Sequence, residues 1–591
     1  MNQAHATLST KKAASYLVLI LLVLFVFFSC ERQSQTKPEV VAWDANVRLN
    51  KAFDINPDPK IIEIELSAVE ADIEITPGVK TRMYTYDGLF PGPMIEANKG
   101  DTLIVHFTNL LPEASTVHWH GVELPALMDG TSLSQAPVNT GETFTYEFKL
   151  LNAATYWYHP HIMTHRQVEK GLYGALIVRD PDEDARLNLP EKELVLMFDD
   201  ILLDDDSQVA PAYPDDPIQR ANTQLNGRDS NLFLINGKPG IAVVNLNIGE
   251  PVRIRAINAA NTKFFRFSVP LHNLYRIGGD AGLIASAIEA PPIAWGNNFF
   301  KAAAKPRHLG DPNVYRSDPD PYKGIMIVPG ERAEFIFTPK DNIGDSIGLE
   351  WHDYPRGRHY AKDEQGMISL THDPNIDGVL LPHPLMRFEL SRPQTPYPVF
   401  VLPSMLRAVN PISLPLNPNV LPITFGHTMP DMNGDINFFA SMVNGVGTPF
   451  EMLSANDGIE AIIGETYIWE VKNMTEGAHP FHPHGFSFQH LETEFVDLDD
   501  PTNPSLNYKT YPTRIENKDT IMVPGRLGTV MGRSYALTRL AVKFDDTGRE
   551  GMIEAFGKMA QSNRSGGWVV HCHILEHANR GMMTFLNLRS P

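Results

Sequence analysis

Cysteine is nearly absent: the 591-residue chain has two, Cys30 and Cys572. Two thiols can build neither a disulfide-rich scaffold nor a metal site made mainly of thiolates. Basic charge is short as well, with 50 Lys+Arg against 70 Asp+Glu and a formal net charge of −20. That balance argues against a nucleic-acid partner, because neutralising phosphates needs a basic face. Few stretches long enough for a helix carry a 3.6-residue period; Gly551–Gln561 (GMIEAFGKMAQ) is a short exception. What the chain does have is 21 histidines, 47 prolines and 42 glycines, with 43% hydrophobic and 20% charged residues. This is a folded chain, and the turn formers suit many short strands.

At the N-terminus, Lys11 and Lys12 precede an uncharged stretch from Ala13 to Ser29, and Cys30 follows. A basic n-region and an apolar h-region make residues 1–30 an export segment. It resembles a bacterial lipoprotein signal with Cys30 as the lipidated residue, although Phe27 and Phe28 depart from the small residues such signals favour. An uncleaved anchor is the alternative. Either way the expected location is the periplasm or cell envelope, with a membrane tether through the N-terminus.

Alternation of polar and apolar residues runs through the chain, as in Lys60–Leu66 and Glu142–Phe148, and indicates antiparallel sheets with one wet face. Three segments share one template of glycine, a following acid, an alternating strand, and an asparagine nine positions on. They are Gly100–Asn109, Gly249–Asn258 and Gly464–Asn473. A second landmark follows each, at Thr140-Gly141-Glu142, Pro329-Gly330-Glu331 and Pro524-Gly525-Arg526. The repetition predicts an all-β protein of three like sandwiches, at 31–180, 181–385 and 386–591. The acidic run Asp180–Asp184 and the proline-rich stretch 393–417 fit linkers.

Four clusters carry the chemistry: His118-Trp119-His120-Gly121, Tyr158-His159-Pro160-His161, His479-Pro480-Phe481-His482-Pro483-His484-Gly485, and His571-Cys572-His573-Ile574-Leu575-Glu576-His577, with Met582 five residues on. On a strand, His571 and His573 share one face while Cys572 points to the other. The cysteine can then bind one metal and the two histidines others, a few covalent bonds away. His577 and Met582 can fold back beside Cys572, and His479 completes Cys, two His and a weak Met, the ligand set of an electron-transfer copper. The pairs 118/120, 159/161, 482/484 and 571/573 supply eight imidazoles, enough for three coppers and dioxygen. Two pairs come from the first repeat and two from the third, which places that cluster at their interface. The corresponding part of the second repeat supplies only His272 among these landmarks, and the repeat reads as a spacer that sets geometry. A single His-x-His pair is more often two surface histidines; four in register around a His-Cys-His are not. His106, His165, His272, His352, His359, His427 and His490 are read as surface or structural.

With these motifs the sequence resembles the three-domain multicopper oxidases, the laccase-like cupredoxin family, over about residues 55–591. Pro91-Gly92-Pro93 and Gln167–Gly174 also look like family segments. The resemblance implies three cupredoxin-like Greek-key sandwiches and four copper ions per chain. It implies a type 1 copper at His479, Cys572, His577 and Met582, and a type 2 copper at His118 and His482. The type 3 pair would take His120, His159, His161, His484, His571 and His573. It further implies that dioxygen is reduced to two waters by electrons passing from Cys572 to His571 and His573. Phe486 stands where relatives often have a histidine, at a position that is not a ligand. Ala578 follows His577 where many bacterial relatives carry an acid that relays protons. Asp129, in the turn after the first cluster, is similar to the acid laccases use near the type 2 copper; a turn-capping aspartate is the alternative.

For a laccase-like enzyme the expected donor is a phenol or aromatic amine. The alternative is a metal ion, Cu⁺, Fe²⁺ or Mn²⁺, for which the acidic run Glu492, Glu494, Asp497, Asp499 and Asp500 could attract cations; a solvated face is the plainer reading of that run. The methionines 522, 531, 552 and 559 are too scattered for a cuprous patch, but the segment between His490 and His571 is long enough to cover part of the type 1 surface. A two-domain nitrite reductase would lack the four paired-histidine motifs and the third repeat.

Overall fold

The computed structural model describes residues 44–228, 230–293, 324–341, 344–352, 359–362, 368–371, 383–527, 533–545 and 567–589. The export segment with Cys30, the 551–561 stretch, and Met531, Met552 and Met559 lie outside the described residues. Among those described, short strands dominate and helices are few.

Each template segment becomes a strand, at Thr102–Asn109, Val252–Asn258 and Thr466–Asn473. Each pairs in parallel with an earlier strand (Ile61–Ile73, Glu193–Ile201 and Asn419–His427) and antiparallel with a later one (Thr143–Lys149, Arg332–Phe337 and Ser534–Lys543). A second sheet accompanies each trio, again built on one parallel pair followed by antiparallel neighbours. The outcome is three β-sandwiches of one topology, the arrangement of cupredoxin domains.

The template asparagine explains why the pattern repeats. Asn109, Asn258 and Asn473 are fully buried. Each Nδ2 donates to two main-chain carbonyls: those of Glu113 and Val138, of Lys263 and Ile327, and of Gly477 and Pro524. Each Oδ1 accepts the amide two residues on. One side chain thus satisfies three buried main-chain groups where the strand leaves the sheet.

The first and third template strands alternate strictly between buried and half-buried residues, as the sequence suggests. The second is buried at every position. Its polar face, Arg253 and Arg255, is covered and paired with Glu193 and Glu334, and Arg255 also donates to Thr155 of the first sandwich. Alternation there reports a buried ionic layer, not a wet face. The acidic run is likewise more than a linker: Asp180 caps the helix Pro181–Leu187, and Asp182, Glu183 and Asp184 fill its first turn, where the helix dipole favours negative charge. The stretch 393–417 forms neither helix nor strand. The cores of the first and third sandwiches merge into one apolar cluster that contains Trp119, Trp568 and Cys572, so the strand ends that carry the histidines meet.

Candidate functional site

The four clusters sit on or beside short strands at that junction: His118–His120, Ala154–His159, His479–Pro483 and Trp568–Cys572. Strand periodicity then separates the side chains into two pockets.

In the first pocket Cys572, His479 and His577 converge. The Cys572 Sγ lies 3.5 Å from His479 Nδ1 and 3.7 Å from His577 Nδ1, and the two Nδ1 atoms are 3.1 Å apart. All three residues are buried. The outward nitrogens meet protein: His479 Nε2 lies 2.6 Å from the Thr475 hydroxyl, and His577 Nε2–H donates to the Leu225 carbonyl at 3.0 Å. With Nε2 carrying the proton, each Nδ1 presents its lone pair inward, as metal ligation requires. Phe438 stacks on His577 at 4.3 Å. Met582 is buried and its carbonyl accepts the Cys572 amide, which folds the chain back beside Cys572.

On the other face of the strand lie the eight paired histidines. His120, His159 and His573 form one group, His161, His484 and His571 a second, and His118, His120 and His482 a third. Rings from the first and third sandwiches stack across the junction, His118 on His484 and His120 on His482, each at 3.9 Å. Outer nitrogens are again held by oxygen. Nδ1–H of His118 donates to the Asp129 carbonyl, that of His159 to Pro160, that of His482 to Asp519 and that of His571 to Cys572. Nε2 of His118, His159 and His482, Nδ1 of His120, and both ring nitrogens of His573 are buried without a hydrogen-bond partner. His484 Nε2 and His571 Nε2 stand 3.0 Å apart. Buried nitrogens left bare and aimed at one another are unfavourable unless a cation takes their lone pairs. The residues present therefore fit a group of metal ions, and neutral imidazole is a ligand that suits copper, as it does zinc, iron and nickel.

Burial, reinforced by the neighbouring imidazoles, pushes His120, His159, His161, His482, His484 and His573 well below the usual histidine range. Burial likewise lowers His571, to about 4. All seven are neutral imidazoles at neutral pH.

Asp129 follows the short helical turn Ala126–Met128 and is buried. Its Oδ2 accepts Nδ1–H of His484 at 2.9 Å while its carbonyl holds His118, so one residue touches a histidine from each sandwich.

Two sequence models of the multicopper oxidase family match this chain, at residues 68–183 and at 419–538 with 556–589. Together they enclose the four clusters whose side chains converge here. The chain belongs to the multicopper oxidase family. It is a copper-dependent oxidase. Laccase-2 of Cryptococcus neoformans is 26% identical over 579 residues, covering 90% of this chain and 85% of that protein. The multicopper oxidase MmcO of Mycobacterium tuberculosis is 33% identical over 212 residues, 32% of this chain and 41% of that one. The solved multicopper oxidase of Campylobacter jejuni, described as a metallo-oxidase, superposes with a TM-score of 0.66 at 24% identity, over 92% of this chain and 94% of that one.

Several residues of this multicopper oxidase escape sequence reading. Asp519 and Thr520 hold the outer edges of His120 and His482, but a lone Asp-Thr some 400 positions from His120 carries no signal. Leu225 reaches His577 through its carbonyl. The second sandwich touches the site directly: Gly330 of its second landmark packs so closely that a Cβ would lie 2.9 Å from His120 and His573. Phe486 packs against Phe544 and Trp568. His272 is structural: its Nδ1–H donates to Pro270 and its Nε2 accepts the Lys340 amide.

Proposed function

We propose that this oxidase couples four one-electron oxidations of a small donor, a phenol or aromatic amine, to reduction of one dioxygen to two waters. Three domains carry the reaction: 31–180, a second from 181, and a third to 591. The second boundary belongs after Ser391, because the strand His383–Ser391 pairs within the second sandwich. The site assignment takes His479, Cys572, His577 and Met582 as the type 1 ligands, and His118 and His482 as the type 2 ligands. The type 3 ions fall to His120, His159 and His573 and to His161, His484 and His571, six ligands that converge in two groups. When bound, copper supplies the one-electron redox chemistry and the binding and reduction of dioxygen. Cys572 connects the pockets: its side chain lies in one and those of His571 and His573 in the other, so a few covalent bonds separate them. Asp129 takes the role of the missing acid at Ala578: its Oδ2 accepts Nδ1–H of His484, which puts a carboxylate where it can relay protons to the cluster. The N-terminal segment exports the chain, with Cys30 as its lipid tether.

The observation that carries the reading is a Cys-His-His pocket joined, through one strand, to eight convergent buried histidines. A metal-ion donor gains support from one feature. Neither type 1 imidazole reaches solvent, since Thr475 and Leu225 cover their outer edges, which suits a donor that transfers its electron without stacking on histidine. The acidic run adds little to that reading: Glu492 and Glu494 pair with Arg539 and Lys509, and Asp499 with Arg533. The test is oxygen uptake by the copper-loaded enzyme with 2,6-dimethoxyphenol, Cu⁺, Fe²⁺ and Mn²⁺ in parallel, corrected for autoxidation. A lead in kcat/KM for the phenol supports the laccase reading; a lead for one metal ion replaces it.

A further inference from the structure

Arg332 opens the strand Arg332–Phe337 of the second sandwich and is fully buried, yet it belongs to neither histidine-bearing sandwich. All five of its guanidinium N–H groups are engaged. Nε donates to the Thr155 carbonyl of the first sandwich. Nη1 donates to the Gly330 carbonyl and to Asp519 Oδ1 at 2.7 Å; Nη2 donates to the Asp280 carbonyl and to Asp519 Oδ2 at 2.6 Å. Its amide donates to Asp280 Oδ1. The fork on Asp519 is bidentate, the geometry that fixes a carboxylate in direction as well as position. Gly121, which ends the first histidine motif, makes room for it: a Cβ there would lie 2.3 Å from Nη2.

Asp519 in turn holds the histidines. Its carbonyl accepts Nδ1–H of His482 at 2.8 Å, and its Oδ1 accepts the Thr520 hydroxyl at 2.9 Å. That hydroxyl lies 3.1 Å from His120 Nε2 and 3.2 Å from His482 Nδ1, the outer edges of the ring pair stacked at 3.9 Å. The Thr520 amide is fixed by Asp280, to which Lys518 also bonds.

We infer that Arg332 is a positioning residue for the His118–His482 centre: a clamp by which the second sandwich sets the aim of His482 and His120. The inference rests on the copper assignment above for the name of the centre, not for the contacts. Arg332→Lys keeps the positive charge between Asp280 and Asp519 but loses the fork; Arg332→Met loses both. Copper per chain is measured in wild type and both variants, with the type 1 visible absorption band and the type 2 electron paramagnetic resonance signal. The clamp predicts one copper fewer than wild type in Arg332→Met, whatever number wild type holds. It predicts a weakened or shifted type 2 signal in Arg332→Lys, with the type 1 band intact in at least that variant. Wild-type copper content and type 2 signal in both variants overturn it. So does loss of the type 1 band in both, since Arg332 would then serve the fold as a whole. Fewer than four coppers in wild type contradicts the copper assignment, and the difference between wild type and variants still decides for or against the clamp.

Discussion

Loading the histidine cluster with metal should release almost no protons from seven of its ligands. Burial and mutual proximity hold six of them well below the ordinary value and His571 at about 4. At pH 6.0 a histidine at the ordinary value of about 6.5 is roughly three-quarters protonated, so seven ordinary histidines would release about five protons. The remaining side-chain donors with protons to lose, Cys572, His118, His479 and His577, can give up about four at most, one each. The perturbation is anaerobic titration of copper-free enzyme with Cu⁺ at pH 6.0, which avoids protons from hydrolysis of cupric ion. The assay is calorimetry in buffers of different ionisation enthalpy, which counts the protons. Four or fewer per fully loaded chain agrees with a neutral, preformed site; six or more refutes it.

The same shifts contribute to the acid sensitivity of the copper-free protein. The unfolded chain binds these protons and the folded chain does not, so stability is full above about pH 6.5 and falls as the pH drops through that value. From pH 7.5 to 6.0 each histidine removes about 0.8 kcal/mol, about 5.5 kcal/mol for seven. Glu169 and Asp280, which burial raises to about 7 and about 6, take up protons in the folded state and oppose this by about 1–2 kcal/mol together.

Removing the cap of the helix that covers His577 should admit aromatic donors. Asp216 accepts the amides of Ile218 and Gln219; Asp216→Ala weakens the helix Pro217–Asn226 by about 1 kcal/mol, which opens it about fivefold more often. A severalfold rise in kcat/KM for 2,6-dimethoxyphenol, with Fe²⁺ oxidation unchanged, is expected; no change would show that the helix does not limit access. Asn258→Ala leaves two carbonyls and one amide buried without their partner and should lower stability by about 3–6 kcal/mol, read as denaturant midpoint at constant slope. Asp129→Asn keeps the shape beside His484 but not the carboxylate that would relay protons. Oxygen turnover should fall roughly 10²-fold, while anaerobic bleaching of the type 1 band by the donor keeps its wild-type rate.

Much of this was legible in the sequence where the information is local. His118/His120 and His571/Cys572/His573 are adjacent, and strand periodicity alone sorts them into two pockets. The template asparagines are visible because three copies keep the same spacing. The second template strand misleads, since Arg253 and Arg255 read as solvent-facing until neighbouring sandwiches bury them against Glu193 and Glu334. Asp519, Thr520 and Arg332 were illegible for a different reason. Each is a lone residue of an ordinary type, brought to the site by contacts that span up to 400 positions. Leu225 acts through its main chain, which no side-chain pattern records.

The central claim is that four electrons leave the donor for each dioxygen consumed. The direct measurement is oxygen uptake by the copper-loaded enzyme with a limiting, known amount of one-electron donor, with and without catalase. About one O₂ per four electrons, unchanged by catalase, is the predicted result. About one O₂ per two electrons, with oxygen returned by catalase, would mean that peroxide is the product and would contradict the account.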